Sequence, residues 1–167
     1  MFDISLFQTL TAKEKLENML LMIKGLVEDD MDADLTKLCN VSAVINAFID
    51  QINWCGFYIM KDGVLVLGPF QGMPACTRIE IGKGVCGTAA ERKETIIVND
   101  VHRFPGHIAC DAASNSEIVI PIIKEGELQG VLDIDSMTFA RFSELEKTYL
   151  EQVVEVLNSS INWKALF

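Results

Sequence analysis

Apolar residues recur three and four apart from Leu16 through Met19, Leu20, Ile23, Leu26 and Val27, directly after the string Thr11-Ala-Lys-Glu14. The spacing places one apolar stripe along a helix and the string is a capping box, so a first helix is expected from Thr11 to about Glu28. Leu35, Leu38, Val44, Ile45, Phe48 and Ile49 repeat the pattern, and an acidic linker from Asp29 to Asp34 separates the two helices. From Asn53 the period shortens. Trp54 to Ile59 and Val64 to Leu67 are strand-like runs joined across Asp62-Gly63, a hairpin signal. Thr95–Val98, Glu117–Ile123 and Leu128–Asp135 supply three more strands, the last two linked by a tight turn at Glu125-Gly126. Ser143-Glu-Leu-Glu146 is a second capping box, opening a helix on Leu145, Tyr149, Leu150, Val153, Val154 and Leu157.

The order is two helices (about 11–50), a mostly antiparallel sheet with an irregular middle (about 53–136), and a closing helix (about 144–162). This describes an α+β layer fold. Asn99 to Ser116 has little periodicity and is rich in Gly, Pro, His, Asp, Ser and Asn, as active-site loops often are.

Composition narrows the classes. The 167 residues, half of them apolar, fit one domain with a real core. Acidic residues outnumber basic ones, 24 to 14, and the net charge of -10 disfavours nucleic acid and anionic lipid as partners. The first residues lack a basic leader region and no stretch approaches a membrane span, so a cytoplasmic protein is expected. Five cysteines are an odd number, without the short spacings of a secreted disulfide framework.

The candidate chemistry gathers around the irregular middle. Cys76, Cys86 and Cys110 bracket it, and a two-thiol cycle needs one thiolate to attack and a second to release the oxidised first. Asp133 and Asp135 lie two apart on a strand, hence on one face, and Glu117 opens the neighbouring strand. Acids on an otherwise apolar face need a cationic partner or a catalytic task, and an amino-acid ammonium would supply the charge. Trp54 and Tyr58, four apart, share a face and offer a pocket wall for a thin group such as a methyl sulfoxide, although aromatic residues on strands more commonly pack a core. Cys39 and Cys55 read as buried small hydrophobes. His102 and His107 read as loop hydrogen-bonders, and Asp29 and Asp30 as a solvated face. A zinc site from Cys76, Cys86, Cys110 and His107 is disfavoured because the spacings give no short ligand pair, so no metal is expected.

Several strings carry a more specific signal: Asn53-Trp-Cys-Gly-Phe-Tyr58, Leu67-Gly-Pro-Phe-Gln-Gly72, Gly84-Val-Cys-Gly-Thr-Ala-Ala90, Phe104-Pro-Gly-His-Ile-Ala-Cys-Asp111, Ser114-Asn-Ser-Glu117 and Gly130-Val-Leu-Asp-Ile-Asp-Ser136. Over about Asn53 to Phe142 they resemble the free methionine-R-sulfoxide reductases, a GAF-domain enzyme family. Met73 departs from the basic residue expected in many relatives before Pro-Ala-Cys, a difference at the pocket rim.

The resemblance implies a single GAF domain over 1–167 that reduces free methionine-R-sulfoxide. It implies Cys110 as nucleophile and Cys76 as its disulfide partner, while Cys86 matches a third family cysteine that fits either redox role. Glu117, Asp133 and Asp135 match pocket carboxylates, with Glu117 and Asp135 expected to hold a proton at the sulfoxide oxygen. Trp54 and Tyr58 match the aromatic wall. No bound cofactor is expected. Thioredoxin is the implied external reductant, and a homodimer is compatible with the family. The competing expectation is a non-catalytic GAF module that senses a small ligand or oxidants.

Overall fold

Both capping boxes form. The Glu14 carboxylate accepts the Thr11 N–H at 2.9 Å while the Thr11 hydroxyl accepts the Glu14 N–H, and Ser143 and Glu146 pair likewise at the start of the last helix. The computed structural model describes residue 7 and residues 9–28, 33–106 and 112–166. Expectations placed on Asp29, Asp30, His107, Cys110 and Asp111 therefore lie outside the described residues. The elements are α1 (Ala12–Val27), α2 (Asp34–Phe48), β1 (Trp54–Lys61), β2 (Val64–Gln71), β3 (Arg78–Glu80), α3 (Gly84–Arg92), β4 (Ile96–Val98), β5 (Ser116–Lys124), β6 (Glu127–Ser136) and α4 (Glu144–Ser160).

The strands form one antiparallel sheet in the order β3-β2-β1-β6-β5-β4. Two of its hairpins turn on residue pairs with positive φ at both positions: Asp62 (51°) with Gly63 (82°), and Glu125 (54°) with Gly126 (80°). Such turns match the right-handed strand twist, and the residues at both tips had signalled them.

Alternation along the central strands separates two cores. Cys55, Phe57 and Ile59, Ile118, Ile120 and Ile122, and Leu132 and Ile134 point to one face, where α2 packs on β1 and β2 and α4 on β5. The α1 stripe of Leu16, Met19, Leu20, Ile23 and Val27 lies against α2 and α4. The opposite face carries Trp54, Tyr58, Val119 and Val131 under α3, which supplies Val85, Cys86, Ala89 and Ala90.

The irregular middle contains two elements that the pattern does not reveal, β3 and α3. Six of the nine α3 residues are buried: Gly84, Val85, Cys86, Gly87, Ala89 and Ala90. Small side chains buried on several sides leave no 3.6-residue polarity wave. Gly87 is required by contact, because a Cβ there would sit 2.3 Å from the Glu80 carbonyl oxygen at the end of β3.

On α2 two expectations fail. Leu35 is 55% exposed, and Cys39 is exposed rather than buried, because the buried stripe runs through Leu38, Val41, Ile45 and Phe48 and passes both by. Among the described residues, no helix is long and apolar enough to cross a membrane.

Candidate active site

On the α3 side of the sheet, ladder register brings the acids together. Glu117 of β5 lies opposite Asp135 of β6, and Asp133 follows on the same face of β6. Trp54 of β1 pairs with Asp135 from the other side, so one row of the sheet holds Glu117, Asp135 and Trp54. Glu117 and Asp133 are buried, and Asp135 is half-buried. Cys86, in the first turn of α3, drops onto this group, and its thiol donates to Glu117 Oε1 across 3.9 Å.

No cation compensates Glu117 or Asp133 among the described residues: every ion pair there involves other acids. Asp133 Oδ1 is buried without a hydrogen-bond partner. A buried acceptor left in this state costs roughly 1–3 kcal/mol, more when charged, so the site is built for a donor that arrives from outside.

The protons respond accordingly. Burial, then the charges of Asp133 and Asp135, hold the Glu117 carboxyl well above its usual range, which favours its protonated form. Asp133 is pushed up to about 6, chiefly by burial, against hydrogen bonds from Cys86 and Glu117 that favour its charged form. Burial is also the main cause that raises the Cys86 thiol, with Asp133 next. Cys86 is therefore a protonated donor toward carboxylates, in a setting opposite to the electropositive one that activates a thiol.

An aromatic stack walls the cluster. The Trp54 ring lies 5.8 Å from Tyr58 and 5.4 Å from Phe70, at 24° and 15°. Gly56 permits it, since a Cβ there would meet Phe70 Cβ at 2.3 Å and Trp54 Cη2 at 2.8 Å. The Trp54 indole N–H donates to the Met73 carbonyl at 3.1 Å, which ties the stack to the exposed Met73 segment. Phe70 escapes sequence reasoning because Gly68-Pro69 interrupts the strand pattern before it.

The 99–116 segment is anchored by polar side chains that also went unnoticed. Asn53 Nδ2 donates to Ser114 Oγ at 3.1 Å, and Asn115 Nδ2 donates to the Met137 carbonyl at 2.6 Å. His102 Nε2 meets Asn115 Oδ1 at 2.9 Å, which bears out its reading as a loop hydrogen-bonder. These bonds fix the entry to β5 two or three residues before Glu117. Their one sequence signal is the density of Asn and Ser where the loop becomes a strand.

Of the cysteines, Cys39, Cys55 and Cys86 are free thiols, and Cys55 is buried in the helical core as expected. Cys76 is half-buried and disulfide-bonded. The described residues thus include a buried acid cluster, an aromatic wall and a disulfide-bonded cysteine.

Comparison with known proteins gives the family. The GAF domain family matches residues 41–162. Free methionine-R-sulfoxide reductase of Escherichia coli is 53% identical over 123 residues, covering 74% of each chain. Among solved structures, free methionine-R-sulfoxide reductase from Neisseria meningitidis in complex with its substrate superposes with a TM-score of 0.83 at 40% identity over 89% of each chain. A putative GAF sensor protein from Burkholderia vietnamiensis does so with a TM-score of 0.87 at 43% identity, over 93% of this chain and 98% of its own. With the family profile spanning most of its length and a named reductase 53% identical over the 123 residues that align, the chain belongs to the GAF-domain family of free methionine-R-sulfoxide reductases.

Proposed function

We propose that this protein reduces free methionine-R-sulfoxide to methionine through a thiol cycle. The observation that carries the reading is the buried pair Glu117 and Asp133, which lacks a cation and faces an aromatic stack. A substrate ammonium meets the Asp133 oxygen that the fold leaves unpartnered. A peptide-bonded methionine has no such charge to offer, so the free amino acid is selected.

Protonated Glu117, with Asp135 across the ladder, hydrogen-bonds the sulfoxide oxygen and makes the sulfur electrophilic. The Cys110 thiolate attacks that sulfur. The S–O bond breaks, oxygen passes to Cys110 as a sulfenic acid, and methionine leaves carrying the electron pair. The Cys76 thiol then condenses with the sulfenic acid, releasing water and leaving a disulfide. An external dithiol, for which thioredoxin is the natural class, reduces it by exchange. That Cys76 stands in a disulfide supports a resolving role for it. Cys86 acts as a neutral donor that orients Glu117, and catalysis needs no bound cofactor or metal. The reading extends to a cytoplasmic setting and a homodimer.

The test is a coupled assay with purified thioredoxin, its reductase and each epimer of free methionine sulfoxide. Sustained turnover with the R epimer alone is expected. One stoichiometric event followed by arrest, as a sensing module would give, rejects the proposal.

A further inference from the structure

One ligand atom each from Cys86, Glu117 and Asp133 lies within 4.8 Å of the other two, and all three side chains are buried. The donor set is one sulfur and two carboxylate oxygens. A tetrahedral Zn²⁺ with bonds of about 2.3 Å to sulfur and about 2.1 Å to oxygen holds such donors roughly 3.6 Å apart. The Cys86 Sγ to Glu117 Oε1 separation of 3.9 Å needs a closure of only a few tenths of an ångström. A second observation points inward independently: the buried, unpartnered Oδ1 of Asp133 is an unused acceptor in this space.

We propose that Cys86, Glu117 and Asp133 form a binding site for a thiophilic divalent cation, and that such a cation and the substrate ammonium exclude one another. The second half rests on the reductase reading above. Three protein ligands with one open position are the stoichiometry of an accessible zinc site, and Asp135, across the ladder from Glu117, borders that position. Binding replaces the Cys86 S–H and Glu117 O–H bonds by bonds to the metal, and the protons leave to solvent. The dication supplies the positive charge that Glu117 and Asp133 otherwise lack.

The ligand types fix the selectivity. Mg²⁺ and Ca²⁺ prefer all-oxygen cages with six or more ligands, whereas a thiolate beside carboxylates selects Zn²⁺ or Co²⁺. The site differs from the Cys76, Cys86, Cys110 and His107 set considered from sequence. It uses one cysteine, outside the Cys76 disulfide, so it survives oxidation of that pair.

The experiment uses the full chain carrying Cys39→Ser, which removes the exposed thiol, with Cys76 in its disulfide. Co²⁺ alone and then Zn²⁺ alone are titrated in metal-free buffer. The expected result is one Co²⁺ per chain with a near-ultraviolet thiolate-to-cobalt charge-transfer band. Zn²⁺ displaces it, excess Mg²⁺ and Ca²⁺ do not, and free methionine-R-sulfoxide competes with it. Cys86→Ser removes the band, and Asp133→Asn, a second variant should the first fold poorly, weakens binding at least tenfold. Absence of the band, or its persistence in Cys86→Ser, overturns the metal site. Metal-free Cys39→Ser enzyme is reduced and assayed in parallel: turnover without a cobalt band rejects the metal site alone, and a cobalt band without turnover rejects the reductase reading alone. Cobalt binding that is indifferent to saturating substrate overturns the mutual exclusion.

Discussion

Asp133 makes stability depend on pH in a direction opposite to that of an ion-paired acid. Its folded pKa is raised to about 6 from an ordinary value of 3.8, so between these values the folded chain binds more protons than the unfolded one. The contribution is full below the lower value and is lost as pH rises through the upper, on the order of 3 kcal/mol in total. Urea titrations of the substrate-free protein and Asp133→Asn should show the wild type losing that advantage between about pH 4 and about pH 7. A difference that stays constant with pH refutes the perturbation. The thiols separate by stage. Cys110→Ser should abolish even one methionine per chain, whereas Cys76→Ser should keep the single burst and lose recycling with thioredoxin, both read by rapid quench. The carboxylates separate by kind: Glu117→Gln and Asp135→Asn slow single-turnover methionine release, because an amide holds no transferable proton. Asp133→Asn chiefly raises KM, because it removes a charge partner for the ground and transition states alike. Equal effects of all three on the release rate would dissolve that division.

At the scale of elements, two glycines make opposite predictions. Gly87→Ala drives a methyl into the Glu80 carbonyl and must shift α3, so it should cost about 1–3 kcal/mol and lower activity by moving Cys86 off Glu117. Gly25→Ala, in the exposed face of α1 with nothing within 4 Å of the new Cβ, should stabilise by about 0.5–1 kcal/mol with activity intact. Denaturant midpoints of the pair decide whether α3 is held by close approach. The same contrast explains what was legible in advance. α1 and α4 announce themselves because each buries one stripe and opens on a capping box, and the strands from Trp54, Val64, Glu117 and Leu128 do so as short apolar runs bounded by turn residues. α3 is enclosed by the sheet and the β3 end, so its small residues show no periodicity, and three-residue β3 is too short to show any. The site divides along the same line. Asp133 with Asp135, and Trp54 with Tyr58, were each readable as sharing a face from a period of two, whereas the register that joins these pairs to Glu117 was not. Phe70, Asn53 and Asn115 join through loops and ladder register, which no single segment encodes.

For the molecule as a whole, occupancy of the site should couple to global stability. Methionine-R-sulfoxide at a hundred times its Kd should stabilise Cys110→Ser, which binds without reacting, by about 2.7 kcal/mol. For a chain of this size that raises Tm by roughly 5–10 °C, and the S epimer should do markedly less. Equal shifts from both epimers would place recognition outside the acid and aromatic pocket. The two-faced sheet has a further consequence. Along β5 and β6, positions 117, 119, 131, 133 and 135 face the pocket, while 118, 120, 122, 132 and 134 face the helical core. The chain thus writes two messages in alternating letters, one specifying what is recognised and the other that the domain folds. Mutation can edit the first while leaving the second intact. A scaffold organised in this way can drift from one small ligand to another through a handful of odd-numbered substitutions, which is one physical route by which a single architecture comes to serve both sensing and catalysis.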